Sequence, residues 1–400
     1  MKNKTVKALA LVLAMSTAMT MGSVGVLAEE AAAEEAAEGE EAAEETAEGE
    51  EAAEDAAEES SDGEEAAEGE EAEGEEEYED TGVPAETPGE VYEPSVDPDA
   101  PKDQAILVVS FGTSFNDNRT ATIKAVEDAL VEAFPDYDVR RAFTAQIIID
   151  KLKDRDNVII DNMTEALDRA VADGVKTLVV QPTHLMNGLE YNDVMDELAN
   201  YADAFDKIVV GEPLLTSDED FSSVAAAITA STSDFDDGET AICFMGHGTE
   251  AESNQVYAKM QDVLAEEGYD HYYVGTVEAT PTLEDVLASV QEGEYKKVVL
   301  EPLMVVAGDH ANNDMAGDEE GSWKTTFEGA GYEVECQLVG LGEMEAIQDM
   351  YVAHTQAAID QLSQDAAEDT EADAAEDAEA DAAEDTEADA AEDTEDGAEE

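Results

Sequence analysis

The chain has 400 residues, of which 104 are Asp or Glu and 18 are Lys or Arg, for a formal net charge of −86 at neutral pH. So acidic a surface excludes nucleic acid as a partner, because phosphate binding needs basic side chains. Only Cys243 and Cys336 occur, and Cys243 sits inside an apolar run where a buried free thiol is the common outcome, so no disulfide is expected.

In chain order, residues 1–28 carry Lys2, Lys4 and Lys7, then an apolar run, then Val26-Leu27-Ala28. That is the pattern of a signal peptide cleaved after Ala28, which predicts an exported protein. Nothing later approaches the roughly 18 consecutive apolar residues of a membrane span, so none is expected once the leader is removed. Residues 29–80 are almost wholly Glu, Ala and Gly, and residues 365–400 repeat the unit "AAEDTEAD". These two segments hold about half of the acidic residues. They have like charges at helical spacing and no apolar face, which predicts solvating tails without a packed core. A second reading makes them a cation-collecting brush, with a reach limited by screening to roughly 10 Å. Residues 81–103 are proline-rich and read as a semi-extended linker.

The remainder is long enough for two small cores. Eight short β-branched runs punctuate it: "AILVVSFG" (105–112), "DVRRAFT" (138–144), "KTLVVQPTH" (176–184), "KIVVGEPLL" (207–215), "TAICFMGHG" (240–248), "YYVGTVEA" (272–279), "KKVVLEPLM" (296–304) and "YEVECQLVG" (332–340). Between them lie stretches such as "NRTATIKAVEDALVEAF" and "LEDVLASVQEG", with apolar residues at helical spacing. The alternation predicts an α/β fold with parallel sheets covered on both faces. The first four runs align with the second four. "VVSFGTS" matches "FMGHGTE", setting Phe111 opposite His247 and Gly112 opposite Gly248. "VVQPTHLMNGLEYND" matches "VLEPLMVVAGDHANND", setting Gly188 opposite Gly308 and Glu190 opposite His310. Two similar βα domains, 104–235 and 236–364, are therefore expected to face each other across a cleft.

Ligands of such sheets sit beyond the carboxyl ends of the strands. The second half offers His247, Glu278 and His310 at three such ends. The first half offers Ser110, Thr113, Thr144, His184 and Glu190. A His-Glu-His set suits a first-row divalent metal with open positions, proton abstraction, or both. His184 either lines the cleft or is a core histidine, and His271 and His354 are given no role. The polar run "GDHANNDMAGDEEGSWK" lacks the regular oxygen alternation of a calcium loop and reads as a capped helix start after His310. Trp323 either packs that loop or stacks on a flat ligand. No phosphate-binding glycine loop and no nucleophile-elbow pattern occurs, so neither nucleotide hydrolysis nor a covalent serine intermediate is supported.

"ILVVSFGTS", "RAFTAQIIIDKL", "QPTHLMNGLEY", "FMGHG", "VGTVEA" and "PLMVVAGDHANNDMAGDEEGSWK" resemble the cobalt chelatases of anaerobic cobalamin synthesis, members of the class II tetrapyrrole chelatases. The resemblance covers about residues 105–358. It implies a ferrochelatase-like fold, ATP-independent insertion of Co²⁺ into sirohydrochlorin or a related tetrapyrrole, and Ni²⁺ or Fe²⁺ as further candidate metals. It also implies His247, Glu278 and His310 as metal ligands and His247 as proton acceptor. The turn Phe111, Gly112, Thr113, Ser114 would lie against the macrocycle. Export departs from this pattern, since the macrocycle is an intracellular intermediate. The competing expectations are therefore an exported tetrapyrrole or metal-ion binding protein without turnover, and a surface cation buffer on an inert scaffold.

Overall fold

The computed structural model describes residues 91–92 and 103–362. The expected leader, the acidic segment 29–80 and the acidic tail 365–400 lie outside the described residues, as does most of the expected linker. Among the described residues no helix is long and apolar enough to cross a membrane.

A short strand, β1 (Val91–Tyr92), precedes the first βα series: β2 (Gln104–Ser110), α1 (Asn116–Ala121), α2 (Ile123–Ala133), β3 (Asp138–Phe143), α3 (Gln146–Asp156), β4 (Val158–Ile159), α4 (Met163–Asp173), β5 (Thr177–Pro182), α5 (Leu189–Asn200) and β6 (Lys207–Val210). The helix α6 (Asp218–Ser231) leads to the second series: β7 (Thr240–Gly246), α7 (Gln255–Glu266), β8 (Tyr272–Thr276), α8 (Leu283–Gln291), β9 (Lys297–Pro302), α9 (Trp323–Gly329) and β10 (Glu333–Cys336). The final described helix, α10, covers 345–362. All eight expected strands are present. The stretch 118–134, expected as one helix, is divided at Thr122 into α1 and α2.

The strands form two parallel four-stranded sheets, ordered β3-β2-β5-β6 and β10-β9-β7-β8. Read from the second strand of each half, the two orders are the same. β1 and β4 pair separately, Val91 with Val158 and Tyr92 with Ile159. Registers confirm the duplication. Val109 pairs with Pro182 across β2 and β5, and Met245 with Pro302 across β7 and β9. Ser110 pairs with Phe143, and Gly246 with Thr276. The central strands are buried along their length, as parallel sheets covered on both faces require.

The linking helices are exchanged between the halves, which no strand pattern reveals. Although α6 precedes residue 236, it packs on the second sheet. Ser231 Oγ donates to Glu301 Oε1 at 3.3 Å, Thr232 and Tyr272 hydroxyls lie 3.2 Å apart, and the Lys259 ammonium stands 4.1 Å from the Phe221 ring centre. Conversely, α10 returns to the first sheet, where Tyr351 donates to the Thr183 carbonyl and Thr355 to Gln181 Oε1, both at 2.9 Å. One apolar cluster consequently includes Ile106, Val108 and Val179 of the first sheet with Ile242, Phe244 and Val299 of the second. Each such side chain contributes about 1.5–3 kcal/mol when fully buried.

Gln181 and Glu301 occupy equivalent places, each one residue before the paired proline and each held by a hydroxyl of an exchanged helix. The amide is neutral, whereas burial pushes the Glu301 carboxyl up to about 8. In an unfolded chain that group ionises in the ordinary carboxylate range, near 4.5. Its contribution to stability is therefore complete below that range and is lost as pH rises towards 8. Glu301→Gln keeps an acceptor for Ser231 and removes the titration. Thermal melts in steps from pH 5 to 9 should show the wild-type midpoint falling relative to the variant. Parallel curves would remove Glu301 from the pH dependence.

Candidate metal centre

The site is built where β7, β8 and β9 end on one edge. His247 follows the last residue of β7, and the next residue, Gly248, has φ +91°. A Cβ there would lie 2.8 Å from the Ala279 amide nitrogen, so the turn admits only glycine. His247 Nδ1 lies 2.9 Å from the Gly248 carbonyl oxygen. Because that oxygen can only accept, Nδ1 carries the proton and Nε2 presents its lone pair outward. The Glu278 amide donates to the His247 carbonyl at 2.9 Å. This extension of the ladder places Glu278 Oε1 3.9 Å from His247 Nε2.

His310 comes from the loop after β9, at the start of a single π-helical turn, Ala311–Met315. The sequence predicted a capped helix start here. The structure begins helix at 309 and continues as one wide turn, Ala311–Met315, a form common at functional sites. Asn312 Nδ2 donates backwards to the Gly308 carbonyl at 2.7 Å, and Asn313 Nδ2 to Asp309 Oδ1 at 3.1 Å. His310 Nδ1 lies 2.6 Å from Asp314 Oδ2, which leaves Nε2 for the site. The Asp314 hydrogen bond raises the imidazole's affinity for a proton, burial opposes it, and the charges of Asp314, Glu278 and Asp309 add to the rise.

One ligand atom from each of His247, Glu278 and His310 lies within 4.8 Å of the other two. The imidazole centres are 4.6 Å apart with planes at 75°. Side-chain exposures of 42% for His247, 55% for Glu278 and 30% for His310 leave the group open on one side. Two imidazoles and one carboxylate with free positions suit a divalent first-row ion held with intermediate strength. No thiolate joins them: Cys243 and Cys336 are both free, and burial raises both thiols, Cys336 to about 11.

The first half presents a different surface at the equivalent edge. The Ala145 amide donates to the Phe111 carbonyl at 3.2 Å, as Glu278 does to His247. Phe111, Ala145 and Glu190 thus stand where the second half has His247, Glu278 and His310. Of the predicted turn, Phe111 projects, 48% exposed. Gly112, at φ +106°, has its Cβ position 2.6 Å from the Phe143 ring. Ser110, Thr113 and Ser114 are buried. The Ser110 hydroxyl accepts from Thr183, Thr113 Oγ1 accepts from the Phe115 amide, and the Ser114 carbonyl accepts from Arg155. These residues fix the turn. Asn118 Oδ1 also accepts from the Ala307 amide at 3.0 Å, docking the His310 loop on the first half.

His184 occupies the place of Met304, each carbonyl accepting from a leucine amide, Leu214 and Leu341 respectively. Both its ring nitrogens are buried with no hydrogen-bond partner among the described residues, and burial lowers its pKa to about 4. It is a neutral imidazole that the structure does not bring to the His-Glu-His group. Glu190 lies at the exposed start of α5. Trp323 is buried against Phe327 and packs the core. Sequence reasoning noted Asp314 only as one of a polar run, and its position four residues beyond His310 was the available signal.

The chain is thus an α/β molecule of two matched halves, with two imidazoles and a carboxylate placed to hold a metal ion at the strand ends of one half. Residues 104–360 match the model of the family described as cobalt chelatase (CbiK). Among curated relatives, the sirohydrochlorin cobaltochelatase of Salmonella typhimurium is 37% identical over 264 residues, 66% of this chain and 99% of that protein. The sirohydrochlorin cobaltochelatase CbiKC of Nitratidesulfovibrio vulgaris is 32% identical over 261 residues, 65% of this chain and 92% of that one. Among solved structures, SirB from Bacillus subtilis with Fe³⁺ is similar at 13% identity and TM-score 0.48, over 66% of this chain and 98% of that one. The chain belongs to the cobalt chelatase family and is a metal chelatase.

Asp314→Asn keeps the shape of the pair but removes the charge that orients and strengthens His310. Co²⁺ affinity, measured by titration calorimetry, should fall by about 10- to 100-fold. An unchanged affinity would mean that His310 is not a ligand or does not need its partner.

Proposed function

We propose that this chain inserts Co²⁺ into sirohydrochlorin without ATP, with His247, Glu278 and His310 holding the incoming ion and His247 accepting a proton. The observation that carries this reading is the convergence of three ligand atoms within 4.8 Å at an edge that stays open. The names of the curated relatives supply the macrocycle and the metal.

The chemistry follows from charge balance. The free macrocycle carries two pyrrole N–H protons, and a dipositive ion replaces them, so two protons leave per turnover. Co²⁺ is the substrate ion, and a thiolate-free set grips it loosely enough to hand it on. As the ion passes to the ring nitrogens, His247 Nε2 regains a lone pair facing the place where a proton must go. Its Nδ1 stays bonded to the Gly248 carbonyl, so the ring keeps its orientation through the transfer. Phe111, across the edge, offers an apolar surface suited to the flat face of the macrocycle. A loosely selective N,N,O set also fits Ni²⁺ or Fe²⁺.

We further propose that the segment 1–28 exports the protein. The first residue of the mature protein, read by N-terminal sequencing, should be Glu29. Retention of Met1 would end that part of the reading.

The activity is tested by mixing the protein with metal-free sirohydrochlorin and Co²⁺ anaerobically and following the visible spectrum. Many turnovers above the spontaneous rate are expected. A single shift at one equivalent would instead mean a binding protein on a chelatase fold. His247→Ala should cut the rate by about a hundredfold or more, with the circular dichroism spectrum unchanged because the side chain is exposed at a turn. Near-normal insertion by that variant would remove His247 from the mechanism.

A further inference from the structure

Net charge sets a condition on any acidic ligand. Against 104 Asp and Glu the sequence has 18 Lys and Arg, so an anion is repelled as it approaches. Sirohydrochlorin carries carboxylate side chains around its rim. A chain that binds it needs a cation near the strand-end edge where the metal site lies. Of the cations around that edge, Arg155 is bonded to the Ser114 carbonyl and to Asp156, and Lys324 to Asp318. Arg119 is buried. Lys151, on α3, is half-buried and keeps a face to solvent.

Contacts place Lys151 beside the segment that carries His310. α3 begins just past the Ala145 amide that donates to the Phe111 carbonyl, so its first turn stands at the strand ends. Val306, on the way to His310, packs against the apolar cluster to which Ile149 and Leu152 of α3 belong. Two residues on, the Cβ position of Gly308 lies 3.3 Å from Thr113 Oγ1. The charge of Lys151 reaches Asp309, the neighbour of His310, where it opposes the rise that burial imposes on that carboxyl. Lys151 follows Ile147 by one helical turn and shares its face. Ile147 is 74% exposed and Phe111 48%, so two apolar side chains stand open at this edge with the ammonium a turn behind. We propose that Lys151 binds a rim carboxylate of the macrocycle whose flat face lies on Phe111 and Ile147. The inference rests on the reading of this chain as one that takes sirohydrochlorin.

Phe111 and Ile147 alone would accept any flat apolar ring in any rotation about its axis. A fixed cation at one side of them favours a ligand with an anionic rim and ties one rim position to α3. A lysine suits this task, because its ammonium is a compact charge on a flexible stem and can turn from one carboxylate to another. Asp309 keeps a donor of its own when that happens, since Asn313 Nδ2 stays 3.1 Å from its Oδ1. Lys151 touches neither the ion nor the pyrrole nitrogens in this arrangement. It is a specificity-determining residue that acts on binding of the macrocycle and not on the transfer of the metal.

The test is binding of metal-free sirohydrochlorin to the full chain, without Co²⁺ and under anaerobic conditions, followed by the fluorescence of the macrocycle. Lys151→Gln should weaken binding by about tenfold, as expected for the loss of one charge-assisted hydrogen bond. Lys151→Arg should restore most of it. The gap between wild type and Lys151→Gln should narrow as salt is added, because the lost contact is between charges. Co²⁺ affinity in the absence of macrocycle, measured by calorimetry, should be the same in both. A parallel loss of Co²⁺ affinity would mean that Lys151 only shapes the His310 segment, and would overturn the proposal. Equal binding by wild type and Lys151→Gln would overturn it while leaving the chelatase reading intact. A wild-type chain that binds no macrocycle would overturn both, whereas binding without turnover would sink only the chelatase reading. Lys151→Arg and the salt series on the wild type decide the matter even if Lys151→Gln fails to fold: loss of binding with arginine, or wild-type binding that strengthens steadily with salt, would overturn the role of Lys151.

Discussion

The hydrogen bond from the Glu278 amide to the His247 carbonyl continues the parallel ladder of β7 and β8 beyond their last paired residues. In a parallel sheet neighbouring chains leave over the same edge, so side chains far apart in sequence arrive together without any loop having to search for them. β7 and β8 deliver His247 and Glu278 in this way, and the loop after β9 brings His310. The positive φ at Gly248 turns the chain sharply enough that its carbonyl meets the imidazole it follows. Choice of tautomer, direction of the free lone pair and spacing to Glu278 all descend from that short stretch of backbone.

The duplication makes the asymmetry of the site informative. Both halves build the same turn, with a positive-φ glycine and the same amide-to-carbonyl continuation. One half fills it with His247, Glu278 and His310, the other with Phe111, Ala145 and Glu190. The scaffold is shared and the chemistry is not. Donors at the strand ends of one half and an aromatic ring at the equivalent ends of the other give the two halves different chemistry at the same place in the fold.

Much of this was legible in the sequence because periodicity and parallel-strand topology are local rules. Eight β-branched runs between amphipathic stretches define the strands, and the repeated "QP" and "EP" pairs and glycines define the duplication. The strand-end rule then brings His247, Glu278 and His310 together before any coordinates are known. What the sequence withheld depends on contacts between distant segments. Thr122 interrupts a stretch whose apolar spacing is continuous. The π-helical turn after His310 is accompanied by backward side-chain bonds of Asn312 and Asn313, which no propensity scale encodes. His354 reads as a surface helix residue until α10 is seen lying against the first sheet. Trp323 was undecided because burial and ligand stacking favour the same residue type, and its packing on Phe327 decides it.

The exchanged helices also set the order in which the molecule can be completed. A chain emerging from a ribosome delivers β2 to β6 first. One helix that packs on this sheet spans 345–362, so the part of the apolar face that α2 does not cover stays bare until nearly all of the second half has been delivered. The second sheet, by contrast, finds α6 already waiting when β7 arrives. Assembly therefore runs against the direction of synthesis: the half made last is the first able to close.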